Sequence, residues 1–286
     1  MEVTREIPSA RRVLAETRRS GRRIAFVPTM GALHVAHVSL MKAAKHASGY
    51  LVVSIFVNPT QFAPGGDFER YARDEAGDLE ICQKAGVDLV FIPPPEAMYR
   101  PDATTTVHVA RLTDTLCGPC RPGHFDGVTL VVAKLFNIVQ PDVTYFGEKD
   151  FQQLAVIRRM VRDLDMPIEI VGCPTIREPD GLAVSSRNAY LTDAQRRQAT
   201  SLYRSLCAAR TRIQAGARNP VELAAHMRRI IDEAGPANVD YISVVDPDSM
   251  QPVQRIDKPV LIALAVHVGP ARLIDNLLVD PHRTAD

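Results

Sequence analysis

No stretch of this chain approaches the roughly 20 consecutive apolar residues of a membrane-spanning helix, so an integral membrane role is not expected. The opening residues, Met1-Glu2-Val3-Thr4-Arg5, lack the apolar core of a signal peptide. Long runs of one charge are also missing. Lys and Arg number 34 against 33 Asp and Glu, for a net charge of +1, so nothing in the composition demands nucleic acid. The pairs Arg11-Arg12, Arg22-Arg23 and Arg196-Arg197 read as solvated faces. Cysteine is sparse and odd in number, five in 286 residues. That argues against a disulfide framework and for a reducing, cytoplasmic setting. No internal repeat or low-complexity tract stands out, and no Ser–His–Asp or Cys–His pattern offers a protein nucleophile.

Cys117-Gly118-Pro119-Cys120 has the spacing of a redox dithiol. That chemistry needs the first cysteine at a helix N-terminus directly after a strand, where the dipole lowers its pKa. Arg121-Pro122-Gly123 follows instead, which reads as a loop. A zinc site built on this pair and His124 lacks a second cysteine pair.

What is present is an alternation of short apolar runs and helical patterns. Strands are expected at 24–27, 50–57, 88–92, 143–146 and 168–171. Helices are expected near 37–47, 74–85, 125–139 and 151–164. In the third helix Val128, Val131, Val132, Leu135, Ile138 and Val139 recur at helical spacing and mark a core face. Gly86 should stop the second helix. This order predicts an α/β fold with a Rossmann-like, doubly wound parallel sheet. After Asn188 two helices, near 193–215 and 220–234, precede strands near 241–245, 260–268 and 273–279. They predict a smaller C-terminal α+β domain, with the division at 1–175 and 176–286. The Pro179-Asp180-Gly181 turn near the boundary suits a mobile loop.

The most informative segment is Val27-Pro28-Thr29-Met30-Gly31-Ala32-Leu33-His34-Val35-Ala36-His37. Pro28 cannot donate to a ladder, so the strand should end there. Gly31 allows a sharp turn. His34 and His37 fall on one face of the following helical turn. A strand, a glycine turn and a helix start make an anion site, because backbone N–H groups and the positive helix end face the ligand. Two imidazoles beside it suit phosphate chemistry. Ligands of such sheets lie beyond the carboxyl ends of the strands. The segments at Pro28–His37, Asn58–Gln61 and Gly147–Gln153 each follow a strand and converge on that rim.

The segment resembles the HxGH signature of the adenylyl-transferring nucleotidyltransferases. The longer string Pro28–His34 is similar to that of the pantoate–β-alanine ligase family. Phe56-Val57-Asn58-Pro59-Thr60-Gln61-Phe62, Arg121-Pro122-Gly123-His124-Phe125-Asp126-Gly127-Val128, Phe146–Leu154 and Arg177–Asn188 match the same family in order. Three positions depart from it: Ala36 stands for glycine, Val35 for glutamate and Val184 for methionine.

The resemblance implies ATP-dependent condensation of (R)-pantoate with β-alanine through a pantoyl adenylate, with release of pyrophosphate and AMP, for coenzyme A precursor biosynthesis. It implies His34, His37 and Lys149 as the catalytic set, with His37 as proton donor. ATP would be bound by Met30, Gly31, Ala32, Leu33, His34, Val35, Ala36 and His37, by Gly147, Glu148, Lys149 and Asp150, and by Ile176, Val184, Ser185, Ser186 and Arg187. The last three resemble the mobile phosphate-binding loop of the superfamily, in a C-terminal lid domain. Gln61 and Gln153 would bind pantoate. Mg²⁺ is implied by ATP, with Asp78 a possible contributor and its ligands otherwise open. Arg121 and His124 would line the entrance, and Asn58 would shape the pocket. A homodimer is implied as well. A catalytically weakened relative and another nucleotidyltransferase stay open as alternatives, because Ala36 replaces the motif glycine.

Overall fold

The computed structural model describes residues 1–62 and 68–283. In chain order the elements are β1 (Glu2–Thr4), α1 (Ile7–Arg19), β2 (Ile24–Thr29), α2 (Val35–Ala47), β3 (Tyr50–Ile55), α3 (Glu75–Lys84), β4 (Leu89–Phe91), α4 (Pro95–Met98), α5 (Cys117–Cys120) and α6 (His124–Val139). Then come β5 (Val143–Gly147), α7 (Phe151–Asp163), β6 (Glu169–Cys173), α8 (Asp193–Gln214), α9 (Pro220–Glu233), β7 (Asn238–Val245), β8 (Val260–Val268) and β9 (Ala271–Val279). Short 3₁₀ turns lie at Pro59–Gln61, Glu148–Asp150 and Ser186–Tyr190.

The chain divides into two compact units. The first comprises Met1–Val109, Arg121–Glu148 and Val156–Pro174. The second comprises Ala110–Cys120, Lys149–Ala155 and Thr175–Asp286.

The first unit holds a six-stranded, wholly parallel sheet in the order β1-β4-β3-β2-β5-β6. Its central strands read as unbroken apolar runs because both faces are covered; all six residues of β3 are buried. The strand order reverses between β2 and β5, which puts the topological switch point of the sheet there. Gly86, at φ +74°, ends α3 as expected, with its N–H on the Gln83 carbonyl and that of Val87 on Cys82.

One expectation fails locally. The second strand does not stop at Pro28 but runs to Thr29, pairing Pro28 with Ser54 of β3. Backbone groups alternate sides along a strand. The carbonyls of Arg23 and Thr29 accept from β3 and its flank, whereas that of Ile24 accepts from Asp142 ahead of β5. Pro28 therefore faces the β5 side, beyond the last β2–β5 pair at Phe26 and Thr144, and its missing N–H breaks no bond. Residues Cys117–Cys120 form one helical turn, and Arg121–Gly123 leave it as the expected non-helical link. Two elements, β1 and α1, lie ahead of the first apolar run; α1 buries Ala10, Leu14 and Thr17.

The second unit is α+β. Its antiparallel sheet, in the order β7-β8-β9, has a bulge between Val239 and Tyr241. Helices α8 and α9 supply Leu202, Leu206, Ile213, Leu223, Met227 and Ile231 to a core shared with β8 and β9. No helix among the described residues is long and apolar enough to cross a membrane.

Candidate active site

The loop after β2 is held by a single carboxylate. Gly31 and Ala32 both have positive φ, +81° and +51°, a conformation that costs little only for glycine. Asp78 of α3 accepts the Ala32 N–H at 3.0 Å and the Leu33 N–H at 2.7 Å. A side chain at position 31 would bring its Cβ within 2.8 Å of that carboxylate. Thr29 Oγ donates to the Ser54 carbonyl and accepts the Gly31 N–H. Asp78 is buried, and its pKa is raised because burial outweighs the two N–H bonds. Both carboxylate oxygens are thus engaged on backbone, and Asp78 acts as a loop clamp. No group of three or more His, Cys, Asp or Glu side chains among the described residues is placed to hold a metal ion.

Helix α2 starts two residues earlier than the expected 37–47, at Val35, with His34 as N-cap. His34 and His37 share a face as expected, their ring centroids 4.1 Å apart. The His34 N–H donates to His37 Nδ1 at 3.2 Å. A neutral His37 therefore carries its proton on Nε2, the atom left to act as a donor. Val35 is exposed and Ala36 half-buried, both in the first turn of α2.

Gln61 sits in a buried polar cluster. Asn58, 1% exposed, donates from Nδ2 to Gln61 Oε1 and to the Gly127 carbonyl, each at 3.0 Å. Asn58 Oδ1 accepts from the Thr60 N–H and hydroxyl and from Tyr99. Burial raises the Tyr99 pKa, so that hydroxyl stays a donor. Gln61 Nε2 in turn contacts Met30 Sδ at 3.0 Å, which joins the 56–62 segment to the histidine loop. The Gln61 carbonyl lies 2.9 Å from His124 Nδ1 and accepts from Arg121. A Cβ at Gly127 would lie 2.5 Å from the Thr60 carbonyl oxygen, so only glycine lets α6 approach this turn. Asn58, Arg121, His124 and Gly127 thus set Gln61. The Asn-Pro start of the turn is the local signal for that role.

Gly147 ends β5 beside the switch point, and a Cβ there would meet nothing within 4 Å. Glu148 follows in the same unit. The other predicted residues belong to the second unit. Lys149 is mostly buried, its Nζ 4.0 Å from the half-exposed Asp150 carboxylate. Gln152 is buried and tied to the 112–117 segment: it donates to the Leu112 and Thr115 carbonyls and accepts the Cys117 N–H. The Gln153 side chain, half-buried, makes no hydrogen bond among the described residues. Ile176 accepts the Val184 N–H at 2.9 Å, closing a hairpin ahead of Ser185–Arg187. Ser185 Oγ caps the next turn by accepting the Arg187 N–H.

The Pro179–Gly181 turn of that hairpin, expected to suit a mobile loop, carries several bonds. Asp180 accepts from Leu182 N–H and pairs with Arg196, and Arg177 donates to the Gly181 carbonyl. Cys117 is buried against Tyr241, with its Sγ 3.2 Å from the hydroxyl and 3.7 Å from both terminal nitrogens of Arg272. It follows a turn and not a strand, so the arrangement that a redox dithiol needs is not met.

The family model described as Pantoate-beta-alanine ligase matches residues 2–278. A pantothenate synthetase of Moorella thermoacetica is 51% identical over 280 residues, 98% of this chain and 99% of that protein. A crystal structure of pantothenate synthetase from Thermus thermophilus superposes with a TM-score of 0.92 at 43% identity, covering 97% of this chain and 99% of that one. A pantoate-beta-alanine ligase from Francisella tularensis, complexed with beta-gamma ATP and beta-alanine, superposes with a TM-score of 0.80 at 34% identity, covering 98% and 99%.

Proposed function

The chain belongs to the pantoate-beta-alanine ligase family and is an ATP-dependent enzyme that joins pantoate to β-alanine to form pantothenate; from that premise we propose that the reaction runs through a pantoyl adenylate. In the first step a pantoate carboxylate oxygen attacks the α-phosphorus of ATP and pyrophosphate leaves. In the second the β-alanine amine attacks the acyl carbon, loses a proton and displaces AMP. Transfer at phosphorus asks the protein for position and charge neutralisation rather than a nucleophile.

The observation that carries this reading is the loop at the β2/β5 switch point. Asp78 clamps its Ala32 and Leu33 N–H groups just after the positive-φ Gly31, and the loop delivers His34 and His37 at a helix start. His37 donates from Nε2 to a phosphate oxygen. Lys149 and Arg187 hold phosphate oxygens as fixed charges, and Ser185 and Ser186 add hydroxyl donors. Met30–Ala36, Gly147, Glu148, Ile176 and Val184 contact the nucleotide, with Asp150 suited to ribose hydroxyls. Gln61 and Gln153 take the pantoate carboxylate and hydroxyls, since an amide both donates and accepts. Residues 1–175 carry nucleotide and pantoate binding, and 176–286 carry the Ser185–Arg187 loop. Mg²⁺, brought in with the nucleotide, would neutralise phosphate charge, and the chain would contribute at most one or two carboxylates to it. A cytoplasmic homodimer completes the reading; light scattering that returns a monomer mass at micromolar protein would reject the dimer.

The test is an assay of AMP and pantothenate with each substrate omitted in turn. Full product should require ATP, pantoate and β-alanine together. Turnover of ATP to a nucleotide product that ignores pantoate would reject the reading in favour of another nucleotidyltransferase.

A further inference from the structure

Two segments of the second unit that the proposed function assigns to ATP meet at neighbouring residues of one strand. In β9, Asp275 and Asn276 are both buried, 4% and 9% exposed. Asn276 Nδ2 donates to the Lys149 main-chain carbonyl at 2.8 Å. Asp275 takes Arg177 in a two-pronged ion pair, at 2.6 and 2.9 Å. Adjacent strand residues point to opposite faces, so each partner is held from its own side. The Asn276 N–H donates to Asp275 Oδ1 at 2.8 Å, and Arg177 also reaches the Asn276 carbonyl, which links the two contacts. Arg177 in turn fixes the hairpin that leads into Ser185–Arg187. It donates to the Gly181 carbonyl, pairs with Ala183 across the hairpin and stacks on Tyr203 at 3.9 Å.

We propose that Asn276 is a positioning residue for adenylate formation, holding the Lys149 backbone while its neighbour Asp275 anchors the hairpin before Arg187. Lys149 sits in a short 3₁₀ turn, and a point charge on a flexible stem is only as well placed as the backbone that carries it. The Asn276 amide supplies that placement without touching substrate. The inference rests on the assignment of Lys149 to ATP phosphates.

The test is a double-mutant cycle on pantoate-dependent exchange of pyrophosphate into ATP, with thermal melts to confirm folding. Asn276→Ala should lower the exchange rate at saturating ATP about 10–100-fold, the scale set by a misplacement near 1 Å, while the pantoate KM stays within about twofold. On a Lys149→Ala background the same change should cost less than about twofold, because the two residues act as one unit. Asn276→Asp keeps the volume and, while ionised, cannot donate to the carbonyl, so at an alkaline assay pH it should match the alanine variant, and it carries the cycle if that variant does not fold. Wild-type exchange in Asn276→Asp would overturn the proposal. So would an equal loss with and without Lys149, which a merely structural residue would give. Undiminished exchange in Lys149→Ala alone would instead remove the Lys149 assignment, and this proposal with it.

Discussion

The main-chain N–H of His34 donates to Nδ1 of His37 across 3.2 Å, and this bond decides which edge of the His37 ring is offered to a ligand. With Nδ1 occupied, the neutral ring presents Nε2–H. His37→Ala should raise the barrier to adenylate formation by about 3–4 kcal/mol, the usual loss for one donor at a charge-gaining oxygen. His37→Gln, whose amide N–H can stand near the place of Nε2–H, should retain more. Single-turnover kinetics at saturating ATP, with circular dichroism to confirm folding, measures both. A near-wild-type rate in the alanine variant would contradict the role.

The Asp78 clamp has a pH signature. Burial raises its pKa above the ordinary 3.8, so between that value and its folded one the native state binds more protons than the unfolded chain. Stability contributed by this group therefore falls as pH rises through that window. The melting temperature of wild type minus that of Asp78→Asn should decrease with rising pH there and then level off. A difference that grows with pH would reverse the sign and refute the burial argument. Asp78→Asn should also slow adenylate formation, since one of the two loop N–H groups loses its acceptor.

Gln152 and Gln153 are adjacent but should fail differently. Gln152→Ala breaks three hydrogen bonds, two of them buried and one partly so; a buried partner left unsatisfied costs about 1–3 kcal/mol, so the change should lower the melting temperature markedly. Gln153→Ala should leave the melt nearly unchanged and weaken pantoate far more than ATP. Equal weakening of both ligands, by calorimetric titration, would contradict the pantoate assignment.

Ala36 occupies the second position of α2, at the place of the glycine in the HxGH signature that the segment resembles. A methyl group there should press on a base laid against the helix start. Ala36→Gly should tighten ATP binding and lower the melting temperature slightly, because glycine costs up to about 1 kcal/mol in a helix. Calorimetric titration and a thermal melt on both proteins check this. Unchanged or weaker ATP binding in the glycine variant would sink the steric argument.

The parallel sheet was legible because Ile24–Val27, Tyr50–Ile55 and Val143–Phe146 are apolar runs broken by turn residues and helical periods. The histidine pair was legible because i,i+3 spacing survives any small shift of a helix start. Pro28 misled because a proline is excluded only where its N–H side faces a partner, and sidedness is not written locally. β1 is three residues long and draws its stability from pairing with β4, which local composition cannot show. The backbone partners of Asp78, Asn58 and Asn276 were hidden for a related reason, although the Asn-Pro turn itself marked Asn58 as shaping the pocket. Each bonds to backbone contributed from elsewhere: Asp78 to Ala32 and Leu33, Asn58 to Gly127, and Asn276 to Lys149. A buried polar residue of this kind looks like any other Asp or Asn until the chain is folded.

The most direct test of the central claim is exchange of labelled pyrophosphate into ATP in the absence of β-alanine. An enzyme that forms a pantoyl adenylate should catalyse this exchange only when pantoate is present, and should stop when β-alanine consumes the intermediate. Exchange without pantoate, or cleavage of ATP to ADP and phosphate in its presence, would contradict the adenylate mechanism.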